Sequence, residues 1–464
     1  MTDLDFFFNP QTIAIIGASD TMRFGYTTTK YLLNSKFKTY PVHLTKSEIL
    51  GHKAYKNIKD IPDDIELAII LVGNKHVPQA IRDSIDKGVK GIILESAGFA
   101  ETELDKNIKL QDEIIEIIKK SKTRVVGPNC VGISNFNNEF TSTEVQFHRV
   151  VKGNISIIAQ SGVLGNVFID WGASQNIGFS KSITLGNKID IDEVDMLEYL
   201  NNDSETKVIT LYLEGTKRGK DLMKVLKNMT KPVLILKNGR SDIGSRAVKS
   251  HTGSIAGNDR IYDAMFKQHP GVFRVENFYE LFNIAHIFST QTLPKGKNIA
   301  VVTGSGSLGI LACDEIKKQG LSLASLSEES IKEIRDIIPD WVSIGGTIDL
   351  GPSQGTTLIP SLKVLFKDKN VDAILFIFTV PRGPLEEFEG FGAGIKMSFR
   401  ILNKLSKETN KPFIVVSFGS RWVFEFIMNA SSKFKIPVVD RIKHAVMALK
   451  MMYEYHHSLS NREK

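Results

Sequence analysis

Short apolar runs that end in small residues recur along the chain. They occupy residues 13–16, 155–159 and 299–303, and they are followed by Gly17, by Ser161 and Gly162, and by Gly304 to Gly306. A continuous apolar run of this length is typical of a strand buried on both faces of a parallel sheet. Small residues directly after such a strand favour a tight turn into a helix. The pattern therefore predicts three modules that each open with a strand, a turn and a helix.

Further strand-like segments alternate with helical patterns inside each module. The strand-like segments are residues 39–44, 66–72, 91–97, 124–129, 181–186, 208–215, 232–239, 371–379 and 412–419, and the helical patterns include 77–87, 110–120 and 258–267. Alternation at this spacing favours doubly wound parallel sheets with helices on both faces. We expect an α/β protein with three consecutive domains of this kind, over residues 1–140, 150–290 and 296–458.

The composition fits an ordinary globular protein. The 464 residues are 42% hydrophobic and 24% charged, and the formal net charge of +7 is a mild excess for so long a chain. These values argue against a disordered chain and against a dedicated nucleic-acid binder, which usually carries a dense basic stripe. A mild positive charge suits an enzyme that takes polyanionic ligands.

The cysteines and the apolar runs bear on where the protein works. Cys130 and Cys313 lie far apart, so they build neither a disulfide framework nor a zinc site, and sparse thiols suit a reducing compartment. The N-terminus lacks the features of a signal peptide. No apolar stretch approaches the roughly 18 residues that a membrane-spanning helix needs. We expect a cytoplasmic protein that does not enter a membrane.

Ligands bind at the carboxyl ends of the strands in an open parallel sheet, so the residues there form the candidate site. Four residues follow the first strand, namely Gly17, Ala18, Ser19 and Asp20. Small residues at this place let the backbone approach a phosphate at a helix N-terminus. After the second strand the chain offers Lys46 and no acid before position 48. This cation favours a ligand with an additional ribose phosphate, such as coenzyme A or NADP, and a purely structural turn is the alternative.

Two further turns carry candidate chemistry. Ser161, Gly162 and Val163 open a helix in the second module, where backbone N–H groups would form an anion site, although a plain turn fits equally well. Asn129 lies in a tight Gly-Pro loop and can donate and accept hydrogen bonds. Its neighbour Cys130 has no cationic residue beside it in the sequence that would mark it as a nucleophile, and a small buried cysteine is the alternative.

One histidine stands among residues that suit phosphate binding. His251 lies in the Gly- and Ser-rich segment 250–257. Glu214 follows the apolar strand predicted at residues 208–213. A carboxylate buried there loses hydration free energy unless it has a partner. A histidine is one such partner, because a carboxylate bonded to one ring nitrogen leaves the other nitrogen free as a nucleophile. The alternatives are an ordinary surface histidine and a structural ion pair between Glu214 and Lys217 or Arg218.

The third module supports a rival interpretation. Residues 304–309 match G-x-G-x-x-G in form, and Glu328 lies near the position of the acid in a dinucleotide-binding domain, so an NAD(P)-dependent oxidoreductase is one alternative. Residues 351–355 match the hydrolase motif G-x-S-x-G in form only, and we predict a loop there because Thr356, Thr357 and Pro360 follow closely, with a hydrolase as an alternative. The chain has no P-loop, H-E-x-x-H or C-x-x-C motif, and we expect no metal site. Three modules take up its whole length, so we expect no separate ATP-binding domain in it.

Six motifs together resemble a known family. They are IAIIGASD (13–20), GPNCVGI (127–133), AQSGVLG (159–165), TLGNKIDIDEVDMLEYL (184–200), LYLEG (211–215) and SHTGSIAG (250–257). This combination resembles the α subunit of NDP-forming acyl-CoA synthetases, which include ADP-forming acetyl-CoA synthetase and, more distantly, succinyl-CoA synthetase. The resemblance covers essentially the whole chain and is strongest over residues 8–285.

The resemblance implies a fold and roles for single residues. A Rossmann-like CoA-binding domain would be followed by two flavodoxin-like domains similar to those of succinyl-CoA synthetase. His251 would be the phosphorylated nucleophile, and Glu214 would orient and stabilise the phosphohistidine. Ser161, Gly162 and Val163 would bind the phosphoryl group. The CoA-binding residues would be Gly17, Ala18, Ser19, Asp20, Lys46, Val72, Asn129 and Cys130.

The resemblance also implies a reaction and a partner. Acyl-CoA, ADP and phosphate would be interconverted with a carboxylic acid, ATP and CoA, through an acyl phosphate and a phosphohistidine. An ATP-grasp β subunit would bind ADP or ATP with Mg²⁺, and two copies of each chain would form the hetero-oligomer. A non-catalytic, CoA-binding regulatory subunit is the second alternative to this interpretation.

The chain departs from the family pattern in three places. The family's Pro-Val-Asn-Pro-Lys is here PVHLT at 41–45, with Lys46 one place later, and its Asn-Ala-Gly-Gly-Pro-Gly and Asn-Pro-Val-Asp-Leu are here GSGSLG at 304–309 and GTIDL at 346–350. The departures fall on the CoA phosphate contact and on the third domain, for which the resemblance implies only docking to a partner.

Overall fold

The computed structural model describes residues 4–241, 243–244, 258–345, 347–387 and 391–462. The chain divides into two compact units, Met1–Glu276 and Asn277–Lys464. Three sheets of five, seven and six strands are wholly or mostly parallel, and helices connect their strands. The α/β prediction is therefore confirmed. Within the described ranges, no helix combines the length and the apolar composition that a bilayer-spanning segment requires.

The first unit contains two of these sheets and a small hairpin. Its strands are β1 Thr12–Ile16, β2 Lys38–Val42, β3 Glu48–Ile49, β4 His52–Lys53, β5 Leu67–Ile70, β6 Gly91–Leu94, β7 Arg124–Val126, β8 Ile133–Asn135, β9 Phe140–Thr141, β10 Val151–Ala159, β11 Gly178–Thr184, β12 Val208–Leu213, β13 Val233–Lys237 and β14 Val272–Val275. Its helices are α1 Tyr26–Leu33, α2 Val77–Asp86, α3 Asp105–Ile118, α4 Gly162–Ser174, α5 Glu193–Asn202, α6 Gly219–Lys227 and α7 Asp259–Lys267.

The first sheet has the order β2-β1-β5-β6-β7 and is parallel throughout. Every residue of β5 and β6 is buried, as their continuous apolar runs predicted. The chain leaves β1 toward β2 on one side and returns to β5 on the other. This reversal opens a crevice at the carboxyl ends of β1 and β5, which is where an open α/β sheet binds its ligands.

The second sheet has the order β14-β13-β12-β10-β11-β8-β9. Its first five strands are parallel, and β8 and β9 add antiparallel pairs to the edge beside β11. The strand order reverses between β10 and β12, so a second crevice is expected at their carboxyl ends. Asp192 and Asp195 form a capping box at the start of α5, which fixes the chain that follows the TLGNK motif.

The second unit is built around the third sheet. Its strands are β15 Asn298–Thr303, β16 Ser322–Leu323, β17 Ile348–Asp349, β18 Ala373–Phe378, β19 Phe413–Ser417 and β20 Val438–Val439. Its helices are α8 Phe278–Thr290, α9 Gly306–Lys318, α10 Glu328–Ile337, α11 Gln354–Lys367, α12 Arg382–Glu387, α13 Phe391–Thr409, α14 Arg421–Ser431 and α15 Ile442–Arg462. The sheet is parallel in the order β16-β15-β18-β19-β20, with β17 also paired to β15.

The loop prediction for residues 351–355 is wrong. Gly351–Ser353 form a 3₁₀ turn and α11 begins directly at Gln354, with Pro360 inside it. The helix forms despite the proline because it buries one apolar face, which outweighs the local propensity. Ser353 Oγ donates a hydrogen bond to the carbonyl of Leu350 at 2.6 Å, so this hydroxyl is used in the turn itself.

Candidate functional site

A cavity of about 560 Å³ lies at the carboxyl ends of β1, β2 and β5. Its walls are formed by Ile16, Gly17, Arg23, Phe24, Val42, His43, Leu44, Lys56, Asn57, Ile58, Leu71, Val72, Gly73, His76, Gln79, Ala80 and Asp83. Apolar side chains and a few polar groups from separate loops form a typical small-molecule site. The volume and the position at the strand reversal fit a large cofactor-like ligand.

Gly17 brings the backbone close to the opposite wall of this cavity. Its φ is +90°, and a Cβ atom built on it would lie 2.9 Å from Val72 Cγ1. Only glycine combines this backbone conformation with so close an approach. Both Gly17 and Val72 line the cavity, as a CoA site at this turn would require.

The neighbouring candidates are placed differently. Ala18 and Ser19 are buried, and Asp20 and Lys46 form an ion pair in which Lys46 Nζ lies 2.6 Å from both carboxylate oxygens. The hydrogen bond from Lys46 is the main reason that the pKa of Asp20 is lowered. Neither member of this pair is among the residues that line the cavity.

Two cations of the cavity wall were missed by the sequence analysis. Arg23 and Lys56 both line the cavity and are exposed. Ser19 Oγ accepts a hydrogen bond from Arg23 Nε at 3.0 Å, so the buried serine positions this arginine. A basic residue within the loop after the first strand was the available signal for Arg23. Lys56 comes from a segment beyond the β3–β4 hairpin, and no motif marks it.

A second cavity of about 470 Å³ adjoins the first. Its walls are formed by Phe24, Leu71, Val72, Gly73, Glu95, Ser96, Ala97, Asn129, Cys130, Val131, Gln160, Ser161, Gly162, Val163, Gly186 and Asn187. Phe24, Leu71, Val72 and Gly73 belong to both cavities. The structure therefore brings Val72, Asn129 and Cys130 together with the predicted phosphate site at Ser161 to Val163.

The Asn129 loop is held by close backbone packing. Asn129 has a φ of +58°, and a Cβ atom on Gly186 would lie 2.1 Å from the carbonyl oxygen of Pro128. Asn129 Nδ2 donates to Asn187 Oδ1 at 3.5 Å, and Asn187 is itself held by Glu101 at 2.7 Å. Gly186 of the TLGNK motif is thus required, because a side chain there would keep the Asn129 loop from packing against the turn that follows β11.

Cys130 is buried, and its environment disfavours the thiolate. Burial is the main cause that raises the pKa of its thiol, and its Sγ lies 3.4 Å from the carbonyl oxygen of Leu94. Nearby Glu95 is also buried, and its pKa is raised well above its usual range by desolvation. A thiol in such surroundings is a poor nucleophile, so Cys130 serves as part of the cavity wall.

The N-terminus of α4 forms one side of the second cavity. Ser161 is the N-cap residue, its side chain makes no capping hydrogen bond, and Val163 in the first turn is 70% exposed. The first N–H groups of a helix have no acceptor within the helix, and the helix dipole adds positive potential there. The thirteen-residue helix therefore presents an anion-binding end to the cavity.

Glu214 lies at the neighbouring strand end and is buried. Gln160 Oε1 accepts from the backbone N–H groups of Glu214 at 2.9 Å and of Gly215 at 3.2 Å, which ties this turn to the start of α4. Tyr212 OH donates to Glu214 Oε1 at 3.3 Å. The alternative ion pair with Arg218 does not form, since this guanidinium contacts Asp192, Asp195 and Asp221.

His251 lies outside the described residues. The described chain continues beyond β13, which is paired with β12, and after residue 244 it resumes at Asn258, whose side chain caps α7. The neighbouring strands β12 and β10 place the Glu214 carboxylate and the anion-binding helix end at one edge of the sheet.

A buried lysine lies beneath this edge and was not singled out from the sequence. Lys237 is 1% exposed, and its Nζ lies 4.7 Å from the centroid of the Tyr262 ring. Burial lowers its pKa to about 8. Lys188 of the TLGNK motif donates to the carbonyl of Gly215 at 2.6 Å. Both cations are near the Glu214 turn, so the edge is electrostatically suited to a negatively charged group.

Among the residues that the structure describes, no group of three or more His, Cys, Asp or Glu side chains is arranged to bind a metal ion. In the third sheet, the glycines of residues 304–309 face other side chains. A Cβ atom on Gly304 would lie 2.6 Å from Gln354 Nε2, and one on Gly306 would lie 2.9 Å from Asp349 Oδ2. Glu328 lies exposed in the first turn of α10, beyond the end of β16.

Comparison with known proteins agrees with this geometry. Residues 11–135 match a family model described as a CoA binding domain, and residues 152–288 match one described as a succinyl-CoA ligase-like flavodoxin domain. The α subunit of acetate–CoA ligase [ADP-forming] II from Pyrococcus furiosus is 39% identical over 94% of each chain. The chain belongs to the family of ADP-forming acetate–CoA ligase α subunits.

Two further relatives are similar to this ligase-family subunit over most of its length. Acetate–CoA ligase [ADP-forming] from Methanocaldococcus jannaschii is 40% identical over a matched region that covers 75% of this chain and 49% of that longer protein. Dinucleotide-forming acetyl-coenzyme A synthetase 1 from Ca. Korarchaeum cryptofilum, solved with phosphate and ADP, superposes with a TM-score of 0.88, at 29% identity over 99% of this chain and 98% of that one. These relatives do not favour the oxidoreductase or the regulatory-subunit alternative.

Proposed function

We propose that the chain is the α subunit of an ADP-forming acyl-CoA synthetase. It interconverts acyl-CoA, ADP and phosphate with a carboxylic acid, ATP and CoA. One observation carries the proposal: the cavity of the CoA-binding domain shares a wall with a second cavity at the α4 N-terminus, and Glu214 follows the strand next to the one that leads into α4.

The first cavity would bind CoA through residues 1–140. Gly17 allows the close backbone approach, and Ala18, Ser19 and Asp20 shape the turn after β1. Arg23 and Lys56 supply positive charge at the cavity wall, and Lys46 would contribute if it exchanged Asp20 for a CoA phosphate. The CoA thiol would extend past Val72 toward Asn129 and Cys130, which line the second cavity.

The second cavity would host the acyl transfer. Phosphate held at Ser161, Gly162 and Val163 attacks the thioester carbonyl, the C–S bond breaks, and CoA leaves as the thiolate, which takes up a proton. The helix end stabilises the negative charge on the phosphate, because its N–H groups are already oriented. The product is an acyl phosphate in contact with the α4 N-terminus.

His251 would then accept the phosphoryl group. Its ring nitrogen attacks the phosphorus, the bond from phosphorus to the acyl oxygen breaks, and the carboxylate leaves. Glu214 would hold the other ring nitrogen and stabilise the positive charge of the phosphorylated ring. ADP then attacks the phosphohistidine, which yields ATP and regenerates His251.

The nucleotide would bind to a partner subunit. Relatives designated as α subunits support a β partner, and we propose an ATP-grasp β subunit that binds ADP or ATP with Mg²⁺ in an α₂β₂ assembly. Residues 150–290 would carry the phosphohistidine segment and residues 296–458 would dock the partner. The assembly would work in the cytoplasm.

Replacement of His251 tests the proposal. In the complex with the β subunit, His251→Ala is expected to abolish ATP formation from acyl-CoA, ADP and phosphate, because no nitrogen remains to carry the phosphoryl group. CoA binding, measured by calorimetry, should be unchanged. His148→Ala removes an exposed histidine outside both cavities and should retain full activity. Full activity of His251→Ala would contradict the proposal.

A further inference from the structure

The hydrogen bonds that reach Glu214 through Tyr212 run in one direction. Asn238 Nδ2 donates to Tyr212 OH at 2.7 Å, and Tyr212 OH lies 3.3 Å from Glu214 Oε1. A tyrosine hydroxyl carries one proton, and an amide NH₂ group can only donate. Because Asn238 donates to the hydroxyl oxygen, the hydroxyl proton is left for the carboxylate. Tyr212 thus acts as a donor to the charged form of Glu214.

All three side chains are fixed by the second sheet. Tyr212 and Glu214 are two residues apart at the end of β12, so they project from the same face. Tyr212 is 5% exposed, and its ring packs edge-on against Phe168 of α4, with centroids 6.4 Å apart. The backbone N–H of Asn238 donates to the carbonyl of Leu213 at 3.0 Å, which places its amide beside the Tyr212 hydroxyl.

We propose that Tyr212 is a positioning residue for Glu214, and that Asn238 sets the direction of its hydroxyl. The inference rests on the proposed function, in which Glu214 supports phosphorylated His251. A donor to a carboxylate stabilises its charged form and restricts its rotation. Tyr212 therefore keeps the Glu214 carboxylate oriented at the moment when a phosphohistidine needs a negative partner.

Two lysines near this carboxylate have other hydrogen-bond partners. Lys188 is engaged with Glu193 at 2.9 Å and with the carbonyl of Gly215. Lys237 donates to the carbonyl of Asn238 and lies over the Tyr262 ring. Both lysines remain in place when only the Tyr212 hydroxyl is removed, so a substitution there isolates the hydrogen bond from the surrounding positive potential.

The test is Tyr212→Phe in the complete complex with the β subunit, with Tyr199→Phe as the matched control. Tyr199 OH also donates to a carboxylate, at 3.0 Å from Asp5 Oδ1, but it lies outside both cavities. We expect kcat of Tyr212→Phe to fall about tenfold, the value of a hydrogen bond to a charged group, with KM for CoA unchanged. Tyr199→Phe should retain wild-type kcat.

The level of phosphorylated enzyme separates positioning from a purely structural role. Intact-mass measurement during turnover should show less phosphorylated α subunit in Tyr212→Phe and an unchanged level in Tyr199→Phe. Asn238→Asp, which replaces the donor to the Tyr212 hydroxyl with an acceptor, should lower kcat and the phosphorylation level in the same way, and it decides the question if Tyr212→Phe does not fold.

The outcomes distinguish this inference from the function beneath it. Wild-type kcat and phosphorylation level in both Tyr212→Phe and Asn238→Asp would overturn the positioning role, while the phosphohistidine proposal would stand. Absence of any phosphorylated α subunit in the wild-type complex would instead remove the proposed function itself.

Discussion

At the scale of single residues, two lysines near the first cavity are expected to contribute differently to CoA binding. Lys56 lines the cavity, whereas Lys46 is engaged with Asp20. We expect Lys56→Ala to raise KM for CoA about fivefold, the effect of one exposed charge contact, and to change KM for dephospho-CoA much less. The difference should shrink at high salt, since exposed charges are screened.

Lys46→Ala is the matched control for this prediction. It removes the same charge from the position nearest to the family's lysine, and steady-state kinetics with both CoA forms compares the two variants. A larger rise in KM from Lys46→Ala than from Lys56→Ala would show that Lys46 leaves Asp20 when CoA binds, and it would contradict the expectation that Lys56 makes the stronger contact.

Some residues of the site can be found from the sequence, whereas the contacts of others are seen only in the structure. Gly17, Asn129 and the start of α4 could be singled out from the sequence because each follows a predicted strand, the resemblance added Val72, and all of them line the two cavities. Tyr212, Asn238, Gln160 and Lys237 could not be given their contacts from the sequence. Their interactions depend on which strands are neighbours, and strand order is not written in the hydrophobic pattern.

At the scale of elements, the turn after β11 is a point of tight packing. Gly186 has a φ of +59°, and its nearest neighbour is a backbone carbonyl, which cannot move away as a side chain could. Gly186→Ala is therefore expected to lower the free energy of unfolding by about 2 kcal/mol, through strain and displacement of the Asn129 loop. Urea unfolding measures this loss.

Gly219→Ala supplies the control for Gly186→Ala. Gly219 begins α6, and no atom lies within 4 Å of a Cβ built on it. Its unfolding free energy should equal or slightly exceed that of the wild type, because alanine favours the helix more than glycine does. Equal stability of both variants would show that the loop yields without cost.

Elements with continuous apolar runs were predicted well. The strands β5, β6, β12 and β18 fall within the predicted segments because burial on both faces leaves an unbroken apolar signal. The start of α11 was predicted wrongly. Pro360 and two threonines favour a loop locally, whereas the helix is stabilised by an apolar face that is buried only in the folded protein. Short strands such as β8, β9 and β20 contain two or three residues each, too few for a periodic signal.

At the scale of the whole molecule, each of the two compact units contains core clusters of its own among the described residues. Calorimetry of the chain should therefore resolve two unfolding transitions. Acid should destabilise the unit that contains His286, whose buried Nδ1 has no hydrogen-bond partner among the described residues and whose pKa is lowered to about 4 by burial.

The direction of this effect follows from proton binding. Between about pH 6.5 and pH 4 the unfolded chain protonates this histidine and the folded unit does not, so stability falls as the pH falls through that window. We expect a loss of about 1 to 2 kcal/mol between pH 7.5 and pH 5 in one transition. His286→Leu should reduce this loss, and an unchanged pH dependence in that variant would assign the acid sensitivity to other groups.

Four residues line both cavities, and Gly73 is the one among them without a side chain. Its φ of −58° is one that any amino acid adopts, and no atom lies within 4 Å of a Cβ built there. The backbone therefore does not require glycine at this position. A bulky residue at position 73 would fit the fold and would take up space in the shared wall, so this position can alter the size of both cavities without a cost in backbone strain.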